Sequence, residues 1–119
     1  MEIEKFKREL RKAHRKISDM ATLDELTGLC NRRYFMEALE RERARAERYG
    51  KDLSLCMMDL DFFKRVNDKL GHTAGDLVLA DMGRIIREWS RQTDLPCRYG
   101  GEEFAVILPE TALEGARVA

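Results

Sequence analysis

Apolar side chains recur at alternating intervals of three and four residues in the first part of the chain, with charged residues between them: Ile3, Phe6, Leu10, Ala13, Ile17 and Met20. This spacing is the heptad pattern of a coiled coil, so it predicts a helical stalk over residues 1–21 that pairs with a second copy. The alternative is an amphipathic helix packed on its own domain, since about three heptads form only a marginal isolated helix. We prefer the stalk.

The middle of the chain alternates between helical and strand-like patterns. Asn31 can cap a helix over Arg32–Tyr49, and Gly50 is a natural C-terminal stop. The mostly apolar run Leu53–Asp61 predicts a buried strand. A short helix is then expected to begin at Phe62 and to end at Gly71.

The second half predicts a turn at His72–Gly75 and a long helix opened by Asp76. Two strand-like runs, Leu95–Tyr99 and Phe104–Leu108, flank a pair of glycines that can supply the positive φ angles of a tight hairpin. The second run is apolar on both faces and should be buried. A last helix is expected within residues 111–119. This order of helices and strands indicates an α/β (α+β) fold. Helices would flank a sheet with antiparallel strands at its centre, and the hairpin would lie beside the first strand.

Both predicted strand regions carry acidic residues at one end. Asp59 and Asp61 close the first run, and their spacing places both carboxylates on one side of a strand. Glu102 and Glu103 follow the glycine pair. If the strands are neighbours, their oxygens converge into a site for Mg²⁺ or Mn²⁺, as phosphoryl transfer requires. The alternative is an exposed hairpin tip with solvated glutamates, which the upstream acidic cluster disfavours.

The start of the predicted short helix is a candidate phosphate site. The free amides of Phe62, Phe63 and Lys64 would point outward from the helix N-terminus, where anions bind favourably. The Lys64 ammonium adds a full positive charge. The alternative for Lys64 is an ordinary exposed lysine, but the neighbouring acids favour contact with a metal-bound phosphate.

Composition narrows the class of protein. The chain has 119 residues, of which 44% are hydrophobic and 37% charged, and its formal net charge is zero. These values suit one small soluble domain, and the neutrality argues against nucleic acid as a partner. No segment resembles a membrane span or a signal peptide, so we expect a cytoplasmic location, either free or as the cytoplasmic part of a membrane-anchored sensor. Cys30, Cys56 and Cys97 lack metal-type spacing, and Cys56 and Cys97 are expected to be core residues in a reducing compartment.

Several motifs in order together resemble the GGDEF family of diguanylate cyclases. They run from about residue 24 to the end of the chain: Asp24–Arg33, Asp59–Lys64, Asn67-Asp68, Gly71-His72, Gly75-Asp76 and Arg98–Phe104. The chain departs from the family pattern at Cys30, where relatives usually have proline. The resemblance implies that residues 22–119 are the N-terminal two-thirds of a GGDEF domain. The implied fold is a sheet like that of nucleotidyl cyclases and polymerase palms, incomplete at the C-terminus, where further strands and basic phosphate-binding residues would follow.

The resemblance also implies an activity and roles for individual residues. The reaction would be the Mg²⁺-dependent condensation of two GTP into cyclic di-GMP, with release of two pyrophosphates, across a homodimer. Asp59, the Leu60 carbonyl and Glu102 would bind the metal, and Lys64 would contact phosphate. Glu103 would support a second metal or help deprotonate the ribose 3′-OH. Which glutamate is the base stays open, because neighbours on a strand point to opposite faces.

Further residues are assigned by the resemblance to base recognition and regulation. Asn67 and Asp76 would bind the guanine edge, whereas Asp76 could otherwise be a simple N-cap. His72 would lie beside the substrate or form the turn. Arg91 and Asp94 match an inhibitory RxxD site that binds the product, although by composition they form an ordinary surface turn.

Two other functions remain open. A catalytically silent module would bind GTP or cyclic di-GMP and signal to a partner. A dimerisation module would use the stalk alone. The acidic residues, the lysine and the guanine-binding residues of the family motifs are all present, which favours the diguanylate cyclase. A pairing stalk is compatible with an upstream sensor domain.

Overall fold

The computed structural model describes residues 2–118, with no description of the side chains of residues 15–20 and 116–118. Helices and strands follow one another along this part of the chain in the order α1 (Glu2–Met20), α2 (Arg32–Tyr49), β1 (Leu53–Asp59), α3 (Phe63–Leu70), α4 (His72–Trp89), β2 (Leu95–Arg98), β3 (Glu103–Pro109) and α5 (Leu113–Val118).

The three strands form one antiparallel sheet in the order β1-β3-β2. The β1–β3 register runs from Leu53 opposite Pro109 to Asp59 opposite Glu103. The expectation that the hairpin lies beside the first strand is therefore confirmed. The central strand is also buried as predicted, since every residue of Phe104–Leu108 is at most 6% exposed.

Alternate residues of β3 contribute to two separate cores, because successive side chains in a strand point to opposite faces. On one face, Phe104, Val106 and Leu108 pack with Leu79 and Ile86 of α4. The other face holds a second cluster that joins β2 and β3 to α2: Cys30, Phe35, Ala38, Cys97, Ala105 and Ile107. Helices thus cover both faces of the sheet, which confirms the predicted α+β layering.

The first strand is shorter and less buried than predicted. It ends at Asp59, so Asp61 lies in the following turn, not on the same side of the strand as Asp59. Leu55 and Met57 are 45% and 50% exposed, and Cys56 is exposed. The prediction of a buried Cys56 is therefore wrong, whereas Cys97 is buried. The cause is position: β1 lies at the sheet edge, and the described residues leave much of both its faces uncovered.

The capping residues in the sequence predicted the bounds of α2 correctly but the start of α4 incorrectly. The Asn31 side chain accepts a hydrogen bond from Tyr34 N, and Gly50 ends α2 with φ 63°. In contrast, α4 begins at His72, so His72–Gly75 is helical and Asp76 lies in the second turn, not at the N-cap. Gly71, with φ 87°, reverses the chain so sharply that α4 starts directly after α3.

The helical prediction for the N-terminal segment is confirmed by α1. Three residues of the heptad pattern, Ile3, Phe6 and Leu10, are 71%, 67% and 59% exposed. These described side chains do not pack on the sheet, which disfavours the alternative of a helix docked on its own domain. Ile17 and Met20 belong to the pattern but their side chains lie outside the described residues. Within residues 2–118, none of the helices is long and apolar enough to cross a membrane.

Candidate active site

Four predicted site residues lie together at one end of the sheet. Asp59, the last residue of β1, is directly opposite Glu103, the first residue of β3. The next residue, Leu60, continues this pairing, and its N–H donates to the carbonyl oxygen of Glu102 at 3.2 Å. The backbone therefore brings both acidic segments side by side, as the sequence predicted.

The donor atoms at this end of the sheet suit a hard cation. Asp59 and Glu103 are exposed, and Glu102 is half-buried. Within the described residues, no three Asp, Glu, His or Cys side chains are close enough to hold a metal by themselves. Mg²⁺ is usually held by one or two carboxylates, with water and substrate phosphate completing its octahedral shell. Carboxylates and a backbone carbonyl are thus a sufficient protein contribution, and the residues present fit a magnesium ion.

The glycine pair lies in a four-residue loop, Tyr99–Glu102, and not in the predicted tight turn. Neither Gly100 nor Gly101 has a positive φ, so that prediction is wrong. The N–H groups of Tyr99 and Gly100 instead donate to the Glu103 carbonyl at 2.8 and 3.1 Å. A Cβ atom on Gly100 would lie 2.9 Å from Glu103 Oε1. Gly100 therefore makes room for the Glu103 side chain.

An arginine–aspartate pair fixes the far side of this loop. Arg98 Nε and Nη2 donate to the Gly101 carbonyl at 3.3 and 2.9 Å. Arg98 Nη1 donates to both carboxylate oxygens of Asp24, at 3.2 and 3.3 Å. Asp24 also accepts from Thr27 N and Oγ1 at 2.9 and 2.8 Å. The turn that follows α1 is thereby joined to the glycine loop.

The tyrosine that opens the loop is held by α2. The Arg32 guanidinium lies 4.5 Å from the centre of the Tyr99 ring, and the Phe35 ring meets it edge-on at 5.5 Å. Sequence reasoning assigned no role to Asp24, Arg98 or Tyr99 individually. The only available signal was that they fall within the two motifs that most resemble the family.

The start of α3 is an anion-accepting helix end, although it differs from the prediction by one residue. The helix begins at Phe63, and Phe62 occupies the cap position with φ 60°, an uncommon conformation for a bulky residue. Arg65 N and Val66 N donate to the Phe62 carbonyl at 3.0 and 3.3 Å. By helix geometry, the preceding amides of Phe63 and Lys64 have no acceptor within the helix. They remain available to an anion, and Lys64 is exposed beside them.

The predicted base-reading residues lie across the α3–α4 junction. Asn67 is half-buried in the last turns of α3, and Gly75 is buried in the first turn of α4. The helices approach so closely that a Cβ atom on Gly75 would lie 1.9 Å from Asn67 Oδ1. Asp76 is exposed next to Gly75, and exposed His72 precedes Asp76 by one helical turn. The structure thus brings Asn67 beside the α4 segment that carries Asp76 and His72.

The predicted inhibitory residues, Arg91 and Asp94, contact each other in the turn between α4 and β2. The Asp94 carboxylate, 2% exposed, accepts from Arg91 N at 2.9 Å and from Arg91 Nε at 3.3 Å. Arg91 Nη2 also donates to Thr111 Oγ1 at 2.6 Å. The Arg91 side chain is 54% exposed. Asp94 is therefore the internal anchor of the turn, whereas the Arg91 side chain is partly exposed.

These features define a class of site. Hard oxygen donors lie at the end of the antiparallel sheet. Helix α3, which follows β1, begins with amides that are available to an anion. This combination is typical of α+β domains that bind nucleotide polyphosphates with a divalent cation.

The sequence comparison identifies the family within that class. A family profile described as "Diguanylate cyclase, GGDEF domain" matches residues 21–119. The chain belongs to the GGDEF family, with the matched region beginning where α1 ends.

Individual relatives agree with this assignment. The chain is 52% identical over 97 residues to diguanylate cyclase DgcP of Pseudomonas aeruginosa, an alignment that covers 82% of the chain and 14% of that protein. The GGDEF domain of DgcB from Caulobacter crescentus, solved with c-di-GMP, matches with a TM-score of 0.79 and 39% identity, covering 82% of this chain and 55% of that one. A structure containing the coiled coil and GGDEF domain of DgcB matches with a TM-score of 0.81 and 33% identity, covering 98% and 61%. The chain therefore spans only part of each relative.

Proposed function

We propose that this chain is the metal- and guanine-binding part of a diguanylate cyclase. The reaction joins two GTP molecules: each ribose 3′-oxygen attacks the α-phosphorus of the other nucleotide, and two pyrophosphates leave. The observation that carries the proposal is the β1–β3 register, which places Asp59 opposite Glu103 and bonds Leu60 to Glu102. This register assembles oxygen ligands at one edge, as metal-assisted phosphoryl transfer requires.

Asp59, the Leu60 carbonyl and Glu102 would hold Mg²⁺ or Mn²⁺ at this edge. The bound cation would lower the pKa of the ribose hydroxyl and offset the negative charge that develops on the phosphate. Glu103 is the second carboxylate of the loop, and it either contacts a second cation or accepts the 3′-OH proton. Its exposure is compatible with both roles.

The start of α3 would bind the phosphates. The amides of Phe63 and Lys64 are directed out of the helix end, and the Lys64 ammonium can move to meet a phosphate oxygen. Phe62 sets the position of these amides through its left-handed backbone conformation at the cap. An anion held here lies one turn beyond the end of β1, close to the proposed cation ligands.

Asn67 and Asp76 would select guanine. An aspartate accepts hydrogen bonds from the N1–H and N2–H₂ donors of guanine, which adenine does not offer in the same pattern. His72 lies on the same helix face one turn earlier and would contact the substrate or hold the junction. Cyclic di-GMP, the product, would bind at Arg91 and Asp94, mainly through the partly exposed Arg91 side chain.

We expect Gly75→Ala to weaken GTP binding by roughly tenfold, because the new methyl group would displace the Asn67 amide that reads the base. Alanine is the better helix former and the clash is mainly with the end of the Asn67 side chain, so we expect the variant to fold with the Asn67 amide moved aside. Calorimetric titration with a non-hydrolysable GTP analogue measures it. Gly101→Ala is the matched control, because its Cβ atom would meet nothing within 4 Å. Equal affinities for the two variants would contradict the role of Asn67.

The active species would be a homodimer, since each domain binds one GTP and the two half-sites must face each other. We expect the double change Phe6→Glu and Leu10→Glu to convert dimer to monomer and to lower turnover by at least about tenfold, because charges would replace the apolar heptad positions. Light scattering and product formation measure the two effects. Lys7→Glu, off the heptad pattern, is the control. A variant that stays dimeric would show that α1 does not pair the domains.

Incubation of the full natural protein with GTP and Mg²⁺ tests the proposal directly, with chromatography of the products. Formation of cyclic di-GMP supports the enzyme. GTP binding without product would support the silent signalling module. The absence of both GTP binding and product would support the dimerisation module. We further propose that the domain works in the cytoplasm, where GTP is supplied, under the control of an upstream sensor domain.

A further inference from the structure

Two buried cysteines are directly paired where the turn after α1 meets the sheet. Cys30 and Cys97 form a parallel bridge, in which Cys30 N donates to the Pro96 carbonyl at 3.3 Å and Arg98 N donates to the Cys30 carbonyl at 2.8 Å. Residues paired in this way have Cα atoms about 4.8 Å apart and side chains on one face. A disulfide requires a Cα separation of about 4.4–6.8 Å. The backbone pairing therefore places the two Cα atoms within the range that a disulfide spans.

The two thiols have different environments. The Cys97 thiol donates to the Leu95 carbonyl at 3.7 Å. The interaction between the two neighbouring thiol groups lowers the pKa of Cys30 despite its burial. The same interaction, together with burial, raises the pKa of Cys97. Cys30 is 9% exposed and Cys97 is fully inaccessible. Of the two thiols, Cys30 therefore forms the reactive thiolate more readily, and it is the less deeply buried residue.

We propose that Cys30 and Cys97 form a reversible intrachain disulfide when the protein meets a hydroperoxide. The Cys30 thiolate attacks one peroxide oxygen, the O–O bond breaks, and a sulfenic acid and hydroxide form. The Cys97 sulfur then attacks the Cys30 sulfur, the S–OH bond breaks, and the leaving hydroxide takes the Cys97 proton as water. Two electrons pass from the thiols to the peroxide, and a dithiol reductant reverses the bond by exchange.

The disulfide would connect two segments that are also joined by the Cys30–Cys97 backbone bridge and by the Arg98–Asp24 pair. Cys30 lies at the end of the turn that follows α1. Cys97 immediately precedes Arg98, whose side chain donates to the Gly101 carbonyl in the glycine loop. A crosslink between positions this far apart in sequence constrains the unfolded chain strongly. We expect oxidation to raise the thermal midpoint by roughly 10 °C. The proposal does not depend on the enzymatic activity.

Peptide mapping tests the crosslink. The full natural protein is treated with hydrogen peroxide, blocked with N-ethylmaleimide and digested with trypsin without reductant. Each cysteine lies in its own tryptic peptide, covering residues 17–32, 52–64 and 92–98. The expected product joins 17–32 to 92–98 and is two hydrogens lighter than their sum. Dithiothreitol should separate the peptides and restore the original thermal midpoint.

Matched variants separate this bond from other oxidation products. Cys56→Ser removes the exposed thiol and should leave both the linked peptide and the stabilisation unchanged. Cys30→Ala should abolish both. If Cys30→Ala does not fold, the peptide map of Cys56→Ser alone decides. Crosslinks only through Cys56, irreversible oxidation of Cys30 without a link, or unmodified Cys30 and Cys97 would each overturn the proposal.

Discussion

Glu102→Gln is expected to reduce cyclic di-GMP formation by at least about 100-fold while the domain stays folded. Glutamine keeps the shape of the side chain but removes the charge that would hold the cation. The backbone contact at this position, from Leu60 N to the Glu102 carbonyl, does not involve the side chain and should persist. Asp59→Asn should give a loss of similar size. Initial rates at saturating GTP and Mg²⁺ measure the effect.

A glutamate at the other end of the same strand provides the control. Glu110 directly follows β3 and is exposed, so Glu110→Gln makes the same chemical change far from the proposed cation. Its turnover and the thermal midpoints of all three variants should stay close to the parent values. Full turnover in Glu102→Gln would contradict the metal assignment, whereas an equal loss in Glu110→Gln would show that the loss is not specific to the proposed cation site.

Sequence patterns predicted the elements whose boundaries are set locally. The bounds of α2 were correct because Asn31 and Gly50 supply the cap contacts themselves. The burial of β3 was predictable because only a central strand is apolar on both faces. The same rule failed for β1, since its apolar run does not reveal that it lies at the sheet edge.

Other features depend on contacts that sequence reasoning cannot see. Gly100 is explained by its approach to Glu103, not by a positive φ. The start of α4 at His72 follows from the geometry of Gly71, which a search for side-chain caps overlooks. The convergence of acidic residues was predictable because it required only that two strands be neighbours. The Arg98–Asp24 contact was not, because only the fold brings these distant residues together.

We expect Asp24→Ala to destabilise the domain by about 2–3 kcal/mol, the largest stability loss of any single polar change proposed for this chain. Asp24 accepts from Thr27 N, Thr27 Oγ1 and Arg98, and the side chains of the Arg98–Asp24 pair are only 19% and 21% exposed. Truncation therefore leaves several donors without an acceptor in a partly dry site. Urea denaturation measures the free energy of unfolding.

An exposed ion pair serves as the comparison that shows how much of the loss in free energy of unfolding is due to burial. The Arg84 and Glu88 side chains are 53% and 61% exposed, so Glu88→Ala should cost less than about 1 kcal/mol. Arg98→Ala should cost less than Asp24→Ala, because the Thr27 bonds to Asp24 survive. The double variant should lose less than the sum of the single losses, by about 1–2 kcal/mol, since both changes break the same contact. Additive losses would mean that Asp24 stabilises its turn alone and that the glycine loop is held without it.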